Sequence, residues 1–296
     1  MIIPMSCIST ERMQAFRDTW NIHKLTTYIS NYSGDAHPSV LFEGVKFRLS
    51  ILIQSRNHEP KMHSTHFYKW LSEARSQLFS IIEYNQVAVD FVRNGLIPKI
   101  TEKTYSSILS KCLQQKRRIG DSINKDYSYT VYAHRIVAHF VKAFDFIPFF
   151  SNERDGIKKS EDYKIFSIES EIQRDALVSI LNSNTFYIWF AFYSDVYHCG
   201  REIVLDFPCN LQHLVQCFDQ QLSVINSKLM EDFKKNSVRR SIPYKTTGIV
   251  EYDEYYPRLS KPIIDEIDRV LAQHYGFTAE ELDFIINYDI KYRMGR

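Results

Sequence analysis

Glycine is scarce in this chain, nine in 296 residues, so a glycine-lined loop around a nucleotide has little to be built from. No G-x-G-x-x-G, no Walker loop and no G-x-S-x-G occurs. That removes the usual signatures of dinucleotide binding, phosphate cradling and serine hydrolysis. No apolar run approaches the ~18 residues of a membrane span, and no basic-then-apolar leader opens the chain. The cysteines Cys7, Cys112, Cys199, Cys209 and Cys217 are odd in number and unpatterned. They fit reduced thiols in a cytoplasm better than a disulfide framework. There is no internal repeat and no low-complexity tract.

What is present is aromatic and unevenly charged. Aromatics reach 14%, with 19 Tyr and 20 Phe, while 44% hydrophobic and 24% charged residues are ordinary for a globular protein long enough to hold two domains. The net charge is only +2, but residues 99–118 carry Lys99, Lys103, Lys111, Lys116, Arg117 and Arg118 against the single acid Glu102. Residues 234–245 carry Lys234, Lys235, Arg239, Arg240 and Lys245 and no acid, whereas residues 250–283 hold nine acids against three bases. A polyanion could dock on the two basic stretches. Taken alone, solvated helix faces or loops account for charge runs of this kind more simply.

Periodicity orders the chain. IIPMSC reads as a short buried strand, and TERMQAFRDTW as a helix with Thr10 at its N-cap and Met13, Phe16 and Trp20 on one face. A strand follows near LTTYIS, then the polar loop NYSGDAHPS, then SVLFEGVKFRLSILI. Within this last stretch, residues 45–53 predict a strand buried on both faces toward its end. Strand, helix, strand, loop, strand is the pattern of the last part of an α/β domain. FYKWLSEARSQLF predicts a helix or an extended arm, and the segments LFSIIEYNQVAVDF and YTVYAHRIVAHFVKAFDFIPFF predict strands with turns between. EIQRDALVSILNSNTFYIWFAFY predicts two helices around a polar break, its aromatics belonging to a core, and a further helix is expected from Cys209 to Lys234. In the next helix Pro262 holds an early position, Asp265 and Glu266 the first turn, and Gly276 the end. Thr278 and Glu281 form a capping box for the last helix.

Three soft ligands, Cys209, His213 and Cys217, share i, i+4, i+8 spacing, but structural zinc takes four ligands at closer paired spacings. A helix face feeding small residues into a core explains them better, and the same weakness applies to His63 and His66. Phe42, a large aromatic before a strand and beside Glu43 and Gly44, has two uses that the local residues do not separate. It either fills the core at the sheet's end or stands at the mouth of a site and stacks on something flat.

Several stretches together resemble one family: IIPMSCISTERM, YISNY and LFEGVKFRLSILI; then FVKAFDFIPFF, SEDYK, ILNSNTFYIWFAFYSD and REIVLDFP. The closing segment, YYPRLSKPIIDEIDRVLAQHYGFTAEELDFIINYDIKYRMG, is the most specific. In order and spacing they look like the carboxyl-terminal half of the gamma-class, TaqI-like adenine-specific DNA methyltransferases of type II restriction–modification systems. The resemblance implies α/β followed by α+β: the last strands of a Rossmann-like methyltransferase sheet in residues 1–56, a target-recognition domain in 57–245 and a helical segment in 246–296. It implies base flipping and methyl transfer to the adenine N6 amine. Phe42 occupies the place of the aromatic that packs on the extruded base, and the basic residues Lys99, Lys103, Lys111, Lys116, Arg117, Arg118, Lys234, Lys235, Arg239 and Arg240 become candidates for positioning double-stranded DNA through its phosphates.

Two of the family's motifs are missing. Neither its glycine-containing S-adenosylmethionine loop nor the Asn-Pro-Pro-Tyr tetrapeptide occurs in the 296 residues. The expectation is therefore no catalytic residue and no metal site in this chain, and cofactor binding only in an intact enzyme. A partner, the N-terminal methyltransferase half, would complete the sheet, in the same gene or as a separate polypeptide. A stand-alone specificity subunit and an inactive remnant are the rival readings.

Overall fold

The computed structural model describes the chain except residues 21–23, 35–39, 57–59, 101–102 and 296. It is a mixed α/β structure with several sheets and a helical C-terminal region. The chain divides into two compact units: Met1–Ser110 with Trp189–Val196, and Lys111–Ile188 with Tyr197–Arg296.

The first unit opens with β1 (Ile2–Pro4), the short helix α1 (Ser6–Ser9), a 3₁₀ turn over Glu11–Met13 and α2 (Gln14–Thr19). Then come β2 (Thr26–Tyr32), β3 (Leu49–Ser55), β4 (Met62–Tyr68) and β5 (Asn85–Gln86). They form one sheet in the order β1-β3-β2-β4-β5. β3 runs antiparallel to both β1 and β2, while β2 and β4 are parallel. Helix α3 (Lys103–Leu113) follows and continues into the second unit. Thr10 makes no side-chain cap, so the expected single helix splits into the 3₁₀ turn and α2. Instead the buried Arg17 guanidinium ties this region, donating to the carbonyls of Cys7 (2.8 Å) and Thr10 (2.9 Å) and to Gln14 Oε1 (2.9 Å).

β3 corrects the expected strand over 45–53. It starts four residues later, at Leu49, is buried at that end, and leaves Ile53 57% exposed at the other. The reason is uneven cover. Tyr32, Leu41, Leu49, Tyr68, Trp70 and Leu78 form a core at the start of β3, with Val45, Ile51 and Ile82 packed around it. Between β2 and β4 the ladder is irregular after Ile29. There the buried Asn31 amide bridges strands, donating to Thr65 O (2.9 Å) and accepting from Ser50 Oγ (2.9 Å). The expected domain boundary at residue 57 lies outside the described residues; strands of this same sheet lie on either side of it.

In the second unit β6 (Tyr129–His134) pairs with β7 (Ala143–Phe144) and β10 (Tyr163–Ile168). A second sheet joins β8 (Phe150–Asn152) and β9 (Gly156–Ile157) to the long hairpin of β11 (Val238–Tyr244) and β12 (Gly248–Glu254). The helices are α4 (Glu171–Asn182), α5 (Asn184–Tyr193), α6 (Arg201–Leu205), α7 (Leu211–Lys235), α8 (Lys261–Tyr275), α9 (Ala279–Asn287) and α10 (Ile290–Arg293). Leu177, Ile180 and Leu181 on α4, Leu222, Ile225 and Leu229 on α7, and Ile264, Ile267 and Leu271 on α8 are all buried. These apolar stripes recur at helical spacing, which is why the three helices pack.

The polar break NSN is a structural node. Ser183 Oγ accepts from Phe186 N (3.0 Å), while Asn182 exchanges hydrogen bonds with the Ala143 backbone (3.1 and 2.8 Å). The buried Asp268 accepts from Asn184 N (3.0 Å) and Nδ2 (2.7 Å) and from Thr185 N (2.8 Å) and Oγ1 (2.7 Å). A carboxylate at the N-terminal end of α5 also meets the positive end of its dipole. Gly276 ends α8 in the left-handed conformation (φ +69°), and the Thr278–Glu281 box caps α9, both as expected. Asp265 is not in the first turn of α8, because the helix starts at Lys261, which pairs with it one turn later. The expected division at 245/246 would cut the β11–β12 hairpin, whose seven residue pairs span that point.

Candidate nucleic-acid interface

Phe42 stands on a turn in which Val45 N donates to Phe42 O (3.1 Å) and Gly44 takes φ +76°. A positive φ at the third position is what a type II turn demands, and it is why glycine sits there. The residue before it is fixed: Leu41 is buried in the core, and its carbonyl accepts from Arg75 Nη2 at 2.5 Å. An anchored leucine followed by a tight turn holds Phe42 outward, 37% exposed. Of the two uses open to this residue, core filling does not describe it. In the core that Leu41 joins, the Trp70 indole nitrogen is buried without a protein hydrogen-bond partner among the described residues.

The basic residues sort into three groups. Lys99 is not a surface cation: it is 1% exposed, and its ammonium donates to the carbonyls of Phe192 (2.9 Å) and Ser194 (2.7 Å) at the C-terminal end of α5. Burial pushes its pKa down to about 7, with Asp195 pulling the other way. A lysine so enclosed does not reach a phosphate. Lys111 is likewise committed, to Glu281 Oε2 (2.6 Å) and Gly276 O (2.8 Å). Arg118 donates to Gln115 O (2.7 Å) and so closes its own turn.

Arg239 and Arg240 are exposed but engaged. Arg239 Nε lies 2.5 Å from Asp253 Oδ1, with its guanidinium carbon 3.6 Å from the Phe149 ring centre. Arg240 donates to Glu254 Oε2 (2.6 Å) and to the Tyr256 hydroxyl (2.7 Å). Antiparallel pairing sets Arg239 opposite Asp253 and so brings the acid-rich stretch across from the basic one. The charge of Arg239 and Arg240 is therefore opposed in space, though not in sequence.

Lys103, Lys116, Arg117, Lys234 and Lys235 remain exposed, without an ion pair among the described residues. Lys234 lies over the Phe146 ring (4.3 Å). Arg117 lines a cavity of about 160 Å³ with Asp121, Tyr127, Glu169, Gln173 and Asn210. The N-terminal ends of α4 and α7 both border it, capped by Ser170 and Asn210. Sequence reasoning missed this polar hollow because its walls come from segments about 50 and 40 residues apart, a separation that short-range patterns do not span.

The other constellations resolve differently. Cys209 is buried, while Cys217 is exposed with its Sγ 3.7 Å from His213 Nε2, so the three soft residues do not converge. No group of three His, Cys, Asp or Glu side chains suited to a metal ion occurs among the described residues. His63 stacks on Tyr28 (4.5 Å) and His66 packs against Tyr68 (4.0 Å) along β4. No described helix is long and apolar enough to cross a membrane. No family model and no curated protein matches the chain.

Proposed function

We propose that this chain is the target-recognition part of a site-specific adenine-N6 DNA methyltransferase, of the gamma class it resembles, and that it binds duplex DNA and forms one wall for an everted adenine. The observation that carries the reading is Phe42: an exposed aromatic on a glycine turn, rooted by Leu41, in the loop between the second and third strands of the sheet. A flipped base loses its neighbours' stacking, and an aromatic face returns about 1–3 kcal/mol of it. The succession β1, α1–α2, β2, loop, β3, with β3 reversed between its neighbours, fits the closing strands of a Rossmann-like sheet.

The chain does not itself fit S-adenosylmethionine. β1 leads directly into α1, and no glycine precedes Gly34, so the turn that would admit the cofactor is missing. No catalytic step is assigned to these residues. Their part is to grip and orient: Lys103, Lys116, Arg117, Lys234 and Lys235 meet phosphates, and Phe42 meets the base. The donor and the amine-activating groups belong to an N-terminal methyltransferase partner.

The test compares duplexes with an adenine either paired or opposite an abasic site. Flipping costs less when the adenine is unpaired, so the chain should bind that duplex more tightly, and Phe42→Ala should abolish the preference, about tenfold or less in Kd. Equal preference in the variant would remove Phe42 from the base site.

A further inference from the structure

We propose that the β11–β12 hairpin enters the major groove of the bound duplex and reads base edges there with residues at its tip; this rests on the DNA-binding reading above. The hairpin is built as a probe. β11 is an edge strand with all seven residues exposed, and its partner β12 is held by β8 only as far as Asn152 opposite Val250, with one further bond from Glu153 N to Ile249 O (3.1 Å). Beyond that, Pro243, Tyr244, Lys245, Thr246, Thr247 and Gly248 form the tip, closed by a three-residue loop with Gly248 at φ +73°. Gly248 opens β12 just after the loop, and its left-handed backbone is one that glycine adopts without a steric cost.

Its dimensions and chemistry fit one occupant. Two strands about 4.8 Å apart with side chains fill a groove about 12 Å wide and 8.5 Å deep, which admits a two-stranded ribbon. Arg239 and Arg240 on the outer strand are held by Asp253 and Glu254 of β12, so the charge open to a phosphate on the hairpin is Lys245 at the tip. Lys234 and Lys235 lie at the hairpin's root, where the flanking phosphates would pass. Ile242, Tyr244 and Ile249 are also exposed, Tyr244 at 54%. Exposed to water on this ribbon, Ile242 and Tyr244 on its edge strand above all, these are an association hazard, whereas against thymine methyl groups they are contacts. The hydroxyls of Thr246 and Thr247 can donate to or accept from any base edge.

The experiment uses the full chain and a pool of labelled random-sequence duplexes, lightly treated with dimethyl sulfate, which marks guanine N7 in the major groove and adenine N3 in the minor. Wild type should reject N7-methylated guanines at defined positions of the enriched site. Replacing Tyr244→Ser, Lys245→Ser, Thr246→Ala and Thr247→Ala together should erase that rejection and lower selectivity about tenfold, with general duplex binding retained. An unchanged melting curve would show the exposed tip to be replaceable without unfolding the hairpin; if the fourfold variant melts early, Lys245→Ser with Thr246→Ala is measured in its place. Three results overturn the proposal: N7 rejection that survives in the variant, interference confined to adenine N3, or a tip that mediates self-association of the chain with no effect on duplex selectivity. Binding of no duplex at all would instead sink the reading on which the proposal stands.

Discussion

Lys99 and Lys103 lie four positions apart in one basic stretch, yet one is enclosed in the first unit and the other is on its surface. A charge count cannot tell them apart, because a run of lysines carries no information about which ammonium has two carbonyls waiting for it. The enclosed one has a measurable consequence. Its pKa falls from the ordinary 10.5 to about 7, so above pH 7 the unfolded chain holds a proton that the folded chain has released. Stability contributed through Lys99 therefore rises with pH from about 7, by about 1 kcal/mol per unit, and is flat below. The buried thiols of Cys112 and Cys209, whose pKa values burial raises, act in the opposite direction once free cysteine ionises. Urea melts between pH 7 and 8.5 should show the rise in wild type and a flatter profile in Lys99→Met. Parallel profiles would mean that the ammonium stays protonated in its carbonyl cage. Phe42 is the opposite case: the glycine two residues on is a legible turn signal, and it is the turn that exposes the ring.

The anchor of α5 is the sharpest test at the scale of elements. Asp268 receives four hydrogen bonds from Asn184 and Thr185 with no exposure to water, and burial pushes its carboxyl upward while the four donors pull it down. Asp268→Ala orphans buried donors and should cost about 3 kcal/mol, read as a shift of the denaturant midpoint. A cost below about 1 kcal/mol would show the node to be redundant. The helices α4, α5, α7, α8 and α9 were legible because their stripes, caps and polar break are local. The hairpin was not, although VRRSIPY and GIVEYDE are two extended runs three residues apart with glycine at the turn. Reading 234–245 as charge hid its pattern as a strand, and cross-strand neutralisation by Asp253 and Glu254 depends on a register that composition does not contain. The strand over 45–53 failed similarly: its apolar run predicts burial toward the Ile53 end, but burial follows what lies over the sheet, and cover is at the opposite end, near Leu41.

For the whole molecule the exposed margin of the first sheet matters most. Among the described residues β1 has no partner on its outer side, and Ile2 and Ile53 lie exposed on the same sheet. Unpaired apolar edges recruit strands. The chain alone should self-associate at micromolar concentration in sedimentation velocity, and Ile2→Lys with Ile53→Lys should return it to a monomer; a wild-type monomer over that range would show that the edge is protected. The claim on which the account rests, however, is that the molecule holds duplex DNA through a small set of exposed cations. Equilibrium binding of a duplex across a salt series tests it most directly. The account predicts that log K falls linearly with log salt, and that Lys116→Ala with Arg117→Ala lowers the slope by about 2, since each phosphate contact contributes about 0.9. Absent binding, or a slope unmoved by the double substitution, would contradict it.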